Sequence, residues 1–105
     1  MPKVLVNSAY GGFTVSYDLV RLAGQLGYKR AQTVAETWER YSEYSMGELE
    51  DRIHPAMVAA YEQLEAKGNT EALHDLRVAD VPDDAKWFID DYDGIETVRE
   101  EHRTW

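Results

Sequence analysis

The sequence predicts an α+β domain: a small mixed four-stranded sheet packed with about three helices, in the order β-α-α-α-β-β-β. Three observations carry that reading. Lys3-Val4-Leu5-Val6-Asn7 is apolar without a break at its centre, as in a central strand covered by helices on both faces. Apolar residues then recur at helical spacing through the middle of the chain. Near the end, Asp93-Gly94 separates two stretches suited to strands. That dipeptide is a hairpin signal, because a type I′ turn needs positive φ at both central positions.

The first helix is expected from Ser16, with Leu19, Leu22, Ala23 and Leu26 on one face. Thr14 or Ser16 can cap its start, and Gly27 suits the position after its end. A second helix is read over Ala31 to Tyr44, where Val34, Trp38, Tyr41 and Tyr44 form an aromatic stripe. The stripe either packs inside the domain or forms a self-association surface, since Trp and Tyr are over-used at interfaces. A third helix begins near Pro55, a residue favoured at the first helical position, and stops at Gly68-Asn69. A strand follows around Leu76–Val81 and ends at Pro82-Asp83-Asp84. For residues 95–103 a helix competes with the hairpin strand, and the hairpin is preferred.

At 105 residues the chain is one domain, 1–105, able to bury roughly two-thirds of its unfolded surface. It has no cysteine, which excludes disulfides and thiolate metal sites and fits a reducing cytoplasm. No apolar run reaches about 18 residues and no leader pattern opens the chain, so neither a membrane span nor a signal peptide is expected. The net charge of −9 repels nucleic-acid phosphates. Acidic side chains crowd the last quarter, where they either face water or meet a cation or basic partner. Three Trp and seven Tyr in so short a chain suggest a homo-oligomer, most simply a dimer.

Candidate chemistry gathers at three places. Gly11-Gly12 lies between the first strand and the first helix, with Asn7, Ser8 and Thr14 around it. Glycines there let backbone N–H groups approach a phosphate or carboxylate near a helix start. A tight turn needing positive φ explains two glycines equally well. The segment matches neither the Walker nor the dinucleotide-binding glycine pattern. The second place is Asp51-Arg52-Ile53-His54-Pro55, and the third is the terminal His102-Arg103-Thr104-Trp105. Arg binds phosphate through paired N–H groups, and Trp or Tyr stacks on a base. Equally, Arg52 can pair with Asp51 or a nearby Glu, His54 can cap a helix, and Trp105 can pin the C-terminus. No nucleophile motif occurs, and His54, His74 and His102 lack the spacing of a helical metal pair. No catalytic residue, metal or cofactor is assigned.

Both ends of the chain also resemble a family. KVLVNSAYGGFTVS at the start and IDDYDGIETVREEHRTW at the end are similar to small uncharacterised proteins of tailed bacteriophages and large DNA viruses. DRIHPAMVAAYEQL resembles their middle segment, with His54 standing before Pro55 where the family has Asp. Residues 28–50 match nothing in that pattern and read as a family-specific helical insertion. The resemblance implies a source and a fold more than an activity. Its motif positions fall on Asn7, Tyr10, Gly11, Gly12, Arg52, Tyr92, Asp93, Gly94, Glu96, His102, Arg103 and Trp105. The expectation is a phage accessory protein, acting in the cytoplasm of the infected cell. It would bind a small anionic ligand, a nucleotide or signalling molecule, through Asn7, Tyr10, Gly11, Gly12, Arg52, Tyr92, His102, Arg103 and Trp105. An acidic protein-interaction module acting on a host or phage protein, and a small hydrolase using His54 or His102, are the alternatives.

Overall fold

The computed structural model describes residues 3–8, 13–38, 46–81, 87–92 and 95–100. Along the chain run β1 (Lys3–Asn7), α1 (Tyr17–Gln25), α2 (Lys29–Glu36), α3 (Leu49–Ile53) and α4 (Pro55–Ala66). A 3-10 turn (Glu71–Leu73) leads into β2 (Leu76–Asp80), and β3 (Trp87–Tyr92) and β4 (Ile95–Glu100) complete the order. The mixed α+β class and the order of strands follow the sequence reading, with one more helix than expected.

The sheet differs from expectation. β1 pairs antiparallel with β2, Lys3 opposite Asp80 and Asn7 opposite Leu76. β3 pairs antiparallel with β4, Trp87 opposite Glu100 and Tyr92 opposite Ile95. These are two separate two-stranded sheets, not one mixed four-stranded sheet. The reason lies in the alternation of β1. Leu5 joins the main core with the helices, through Leu19, Ala23, Met57 and Tyr61. Val4 and Val6 point the other way and form a second core with Val81, Trp87, Ile89 and Val98. An apolar second face needs a cover, so the hairpin stacks on it instead of extending an edge. β1 is thus buried on both faces as its sequence suggests, with helices on one side and the hairpin on the other.

Local chemistry explains the helices. The Ser16 hydroxyl accepts the Leu19 N–H at 3.1 Å and caps α1. Gly27, at φ +109°, carries the chain out of it in a conformation that side chains resist. α1 and α2 approach closely at Gly24, where a Cβ would lie 3.0 Å from the Gln32 backbone nitrogen. α2 begins at Lys29 and ends at Glu36, short of the expected Tyr44. The Thr33 and Thr37 hydroxyls donate to carbonyls one turn back, at 3.3 and 2.7 Å, and so compete with the helix at its end. Of the aromatic stripe, Trp38 packs on the main core and meets the Tyr17 ring edge-on at 5.6 Å. Tyr41 and Tyr44 lie outside the described residues. α2 belongs to the main core through Ala31 and Val34.

The short α3 has no counterpart in the sequence reading. It stops because Pro55 forces the preceding residue out of helical conformation, and His54 is extended at φ −63°, ψ 129°. His54 then caps α4, its Nδ1 accepting the Ala56 N–H at 3.1 Å. The imidazole takes the acceptor role that Asp commonly has at this position. Among the described residues, no helix is long and apolar enough to cross a membrane.

Candidate functional site

The end of β1 gathers three residues from distant parts of the chain. Asn7 is the last residue of β1, Arg52 lies on α3 and Glu96 is the second residue of β4. Glu96 shares the inward face of the hairpin with Val98 and is only 4% exposed. Its Oε1 accepts the Asn7 backbone N–H at 2.8 Å, and its Oε2 accepts from Arg52 Nη1 at 2.6 Å. Arg52 Nε donates to the Gly47 carbonyl at 2.9 Å, and the guanidinium lies over the Phe13 ring at 3.9 Å. Arg77 adds a long contact of 3.4 Å to the Glu96 carbonyl. Both Glu96 oxygens therefore have partners, as a buried charge requires. Arg52 Nη2 makes no hydrogen bond among the described residues.

Asn7 and Phe13, which flank residues 8–12 in the sequence, both touch the Arg52–Glu96 pair. The residues beside them are also tied to the chain ahead of β2. Ser8 donates from its backbone N–H (2.7 Å) and its hydroxyl (2.5 Å) to the Asp75 carbonyl. Thr14 Oγ1 lies 2.9 Å from His74 Nδ1, and the Ser16 hydroxyl donates to the Ala72 carbonyl at 2.6 Å. The three hydroxyl side chains around the glycines all bind the one segment 72–75. Gly12 is not at the helix start, however: residues 13–16 intervene before Tyr17, and Ser16 already caps α1.

A cleft of about 390 Å³ opens beside the ion pair, lined by Gly47, Leu49, Arg52, Trp87, Phe88, Ile89 and Glu96. A second groove, of about 300 Å³, runs between α1 and α2 past Tyr17, Arg21, Gln25 and Gln32. Only the first contains residues that the sequence singled out.

A second polar cluster joins α2 to α3. Asp51 is fully buried, and its Oδ1 accepts both the Tyr28 hydroxyl and Arg30 Nε, the latter at 3.0 Å. Its Oδ2 is buried with no hydrogen-bond partner among the described residues. Tyr28 stacks on His54 at 3.8 Å, the rings 13° apart. Burial, and then the Asp51 carboxylate, push the Tyr28 phenol above the usual value of 10.0. Among the described residues no three His, Asp or Glu side chains converge as metal ligands would.

Of the sequence candidates, the structure brings Asn7 and Arg52 together, with the motif residue Glu96 between them. Arg52 pairs with this distant Glu96 and not with Asp51. Tyr10, Gly11, Gly12, His102, Arg103 and Trp105 lie outside the described residues, as do Asp93 and Gly94; Tyr92 is described as the last backbone position of β3. His54 is a helix cap. Sequence reasoning missed His74, Asp51, Tyr28 and Arg30 as polar anchors. Glu96 had a usable signal, its shared phase with Val98; the buried Asp51 had none. Comparison with family models, curated proteins and solved structures found no match.

Proposed function

We propose that this chain is a small accessory binding protein of phage type, without catalysis, holding an anionic ligand of the nucleotide class. The ligand sits in the cleft that Arg52 and Glu96 line. One observation carries the reading: Asn7, Phe13, Arg52 and Glu96, spread across most of the chain, converge on a single buried ion pair at the cleft wall. Glu96 holds the guanidinium in place, and Arg52 Nη2 is left to donate to a phosphate or carboxylate. Trp87 and Phe88 in the cleft supply aromatic surface for a base. The volume of about 390 Å³ lies within the roughly 300–1,000 Å³ usual for small-molecule sites. The sequence motif adds Gly11 and Gly12 as proposed backbone N–H donors. The net charge of −9 works against any anion, so selection rests on local donors, not on the field of the whole protein.

Calorimetric titration with nucleoside mono-, di- and triphosphates and with inorganic phosphate tests the proposal. At least one nucleotide binds the wild-type chain. Arg52→Lys, which keeps the charge and loses the planar fork, weakens it by about tenfold or more. Gly12→Ala weakens binding more than it lowers stability. A panel with no binder, or equal binding by both variants, contradicts the proposal. A peptide of a host or phage protein in the same cleft is the second reading, favoured by Leu49 and Phe88, which are 50% and 47% exposed. Affinity capture from infected cells with no nucleotide binding selects it.

A further inference from the structure

Among the described residues that line the cleft beside the ion pair, Arg52 is the one base and Glu96 the one acid. The two meet at 2.6 Å, with the Arg52 side chain 11% exposed and that of Glu96 5%, so little water screens them. Their charges cancel, and the wall they form is close to neutral. Gly47, Leu49, Trp87, Phe88 and Ile89 complete the lining, and none of them carries a charge.

The guanidinium also has few donors left. Nε donates to the Gly47 carbonyl at 2.9 Å and Nη1 to Glu96, while the plane lies over the Phe13 ring at 3.9 Å. Nη2 is the nitrogen without a partner among the described residues. Arg77 reaches the Glu96 carbonyl at 3.4 Å but does not line the cleft. Glu48 and Glu50, on either side of Leu49 in the chain, are exposed and add negative potential there.

These groups limit the charge that an anion can bring in. One donor nitrogen beside a neutralised pair holds one phosphate oxygen. A phosphomonoester carries a charge of about −1.5 to −2 at pH 7 on three acceptor oxygens. Its second charge would enter a largely apolar cleft with no cation to meet it. A phosphodiester carries a single charge and leaves one charged oxygen fewer to satisfy.

We propose, on the footing of the anion-binding function above, that the cleft selects a nucleotide whose phosphate is a monoanionic diester, cyclic or linear, over nucleoside mono-, di- and triphosphates. Glu96 then does more than hold Arg52 in place: by cancelling the guanidinium it sets the charge limit of the site. Leu49, Trp87 and Phe88 receive the sugar and base.

Calorimetric titration of the wild-type chain tests this with the nucleoside 3′,5′-cyclic monophosphate, the 5′-monophosphate methyl ester, the 5′-monophosphate and the 5′-triphosphate, in the adenine, guanine, cytosine and uracil series. Ionic strength is kept near physiological, where the field of exposed charges is screened beyond about 8 Å. For the best-bound base, one of the two diesters binds tighter than the monophosphate by about tenfold or more, and the triphosphate binds weakest. Glu96→Gln removes the cancelling charge at nearly constant shape, and it lowers that ratio or reverses it. Thermal unfolding shows whether this variant is folded; if it is not, the wild-type ranking alone decides. A smaller ratio in the wild-type chain, or tighter binding of the monophosphate or triphosphate, overturns the charge limit and leaves the anion-binding function standing. A folded Glu96→Gln variant with the ratio unchanged also overturns it. A wild-type chain that binds no compound of any series overturns the function and this inference together.

Discussion

Among the described residues two carboxylates are buried, and they are buried in different ways. Glu96 has a partner for each oxygen, one a backbone N–H and the other a guanidinium that is itself 11% exposed. Asp51 concentrates its partners on Oδ1 and leaves Oδ2 bare. Its arginine, Arg30, is 43% exposed and remains in contact with water. The Glu96 pair is sealed between β1, α3 and the hairpin, and it forms part of the cleft wall. The Asp51 cluster clips the start of α2 to α3, and Asp51, Tyr28 and Arg30 line neither the cleft nor the groove. The contrast favours the Glu96 pair over Asp51 as the proposed recognition site. A pair with satisfied oxygens and a spare donor can accept a ligand without rebuilding the core. A carboxylate with one oxygen left unpartnered serves only to fasten α2 to α3.

The largest effect that sharpens this contrast is expected at Glu96. Glu96→Ala leaves the largely buried Arg52 guanidinium without its carboxylate and removes the Glu96 acceptor from the Asn7 N–H, so chemical denaturation should show a loss of about 3–5 kcal/mol. The joint change Arg52→Met with Glu96→Leu should recover most of that loss, since no charge is then left unpaired. If the single change costs as little as an exposed pair does, below about 1 kcal/mol, the seal around Glu96 is absent.

A smaller effect is expected at Asp51. Asp51→Asn keeps an acceptor for Tyr28 and removes a charge whose arginine can rehydrate. A loss of about 1–2 kcal/mol should appear in the same denaturation series, and it should leave ligand binding unchanged. A loss larger than that of Glu96→Ala would reverse the ranking of the two sites.

The smallest effect is a pH dependence. Tyr28 has its folded-state pKa raised, first by burial and then by Asp51, so the fold prefers the neutral phenol. Below the usual tyrosine value both states carry the proton and no stability depends on it. Above about pH 10 the unfolded chain releases the proton first, and stability falls as pH rises. Tyr61 is raised in the same direction by burial and then by Glu65, so it contributes the same sign. Tm followed from pH 8 to pH 11 should fall less steeply in Tyr28→Phe than in wild type. Equal slopes would remove Tyr28 from the account.

Local signals carried much of this architecture. Ser16 capped α1, Gly27 ended it, Pro55 opened α4, and a two-residue gap at 93–94 separated the hairpin strands, each as short-range chemistry dictates. What depended on distant partners was not legible. Nothing near Val4 or Val6 says that their cover is Trp87 and Ile89 stacked face-on, so a single sheet was the simpler reading. Nothing near His74 announces positive φ, because its turn is held by hydroxyls some 60 residues earlier in the chain. Glu96 and Arg52 were marked by motif, but their partnership spans 44 residues, and local pairing rules pointed Arg52 to Asp51 or a nearby Glu instead.

The claim at the centre of this account is that the Gly-Gly segment and the Arg52–Glu96 pair form one binding site. Titration of isotope-labelled protein with the tightest nucleotide of the panel, followed by two-dimensional NMR, tests it most directly. The account predicts that shifts cluster on the amides of Asn7, Gly11, Gly12, Ile89 and Glu96 and on the Arg52 side-chain N–H. Shifts confined to the α1–α2 groove around Tyr17, Arg21 and Gln25, or none anywhere, would contradict it.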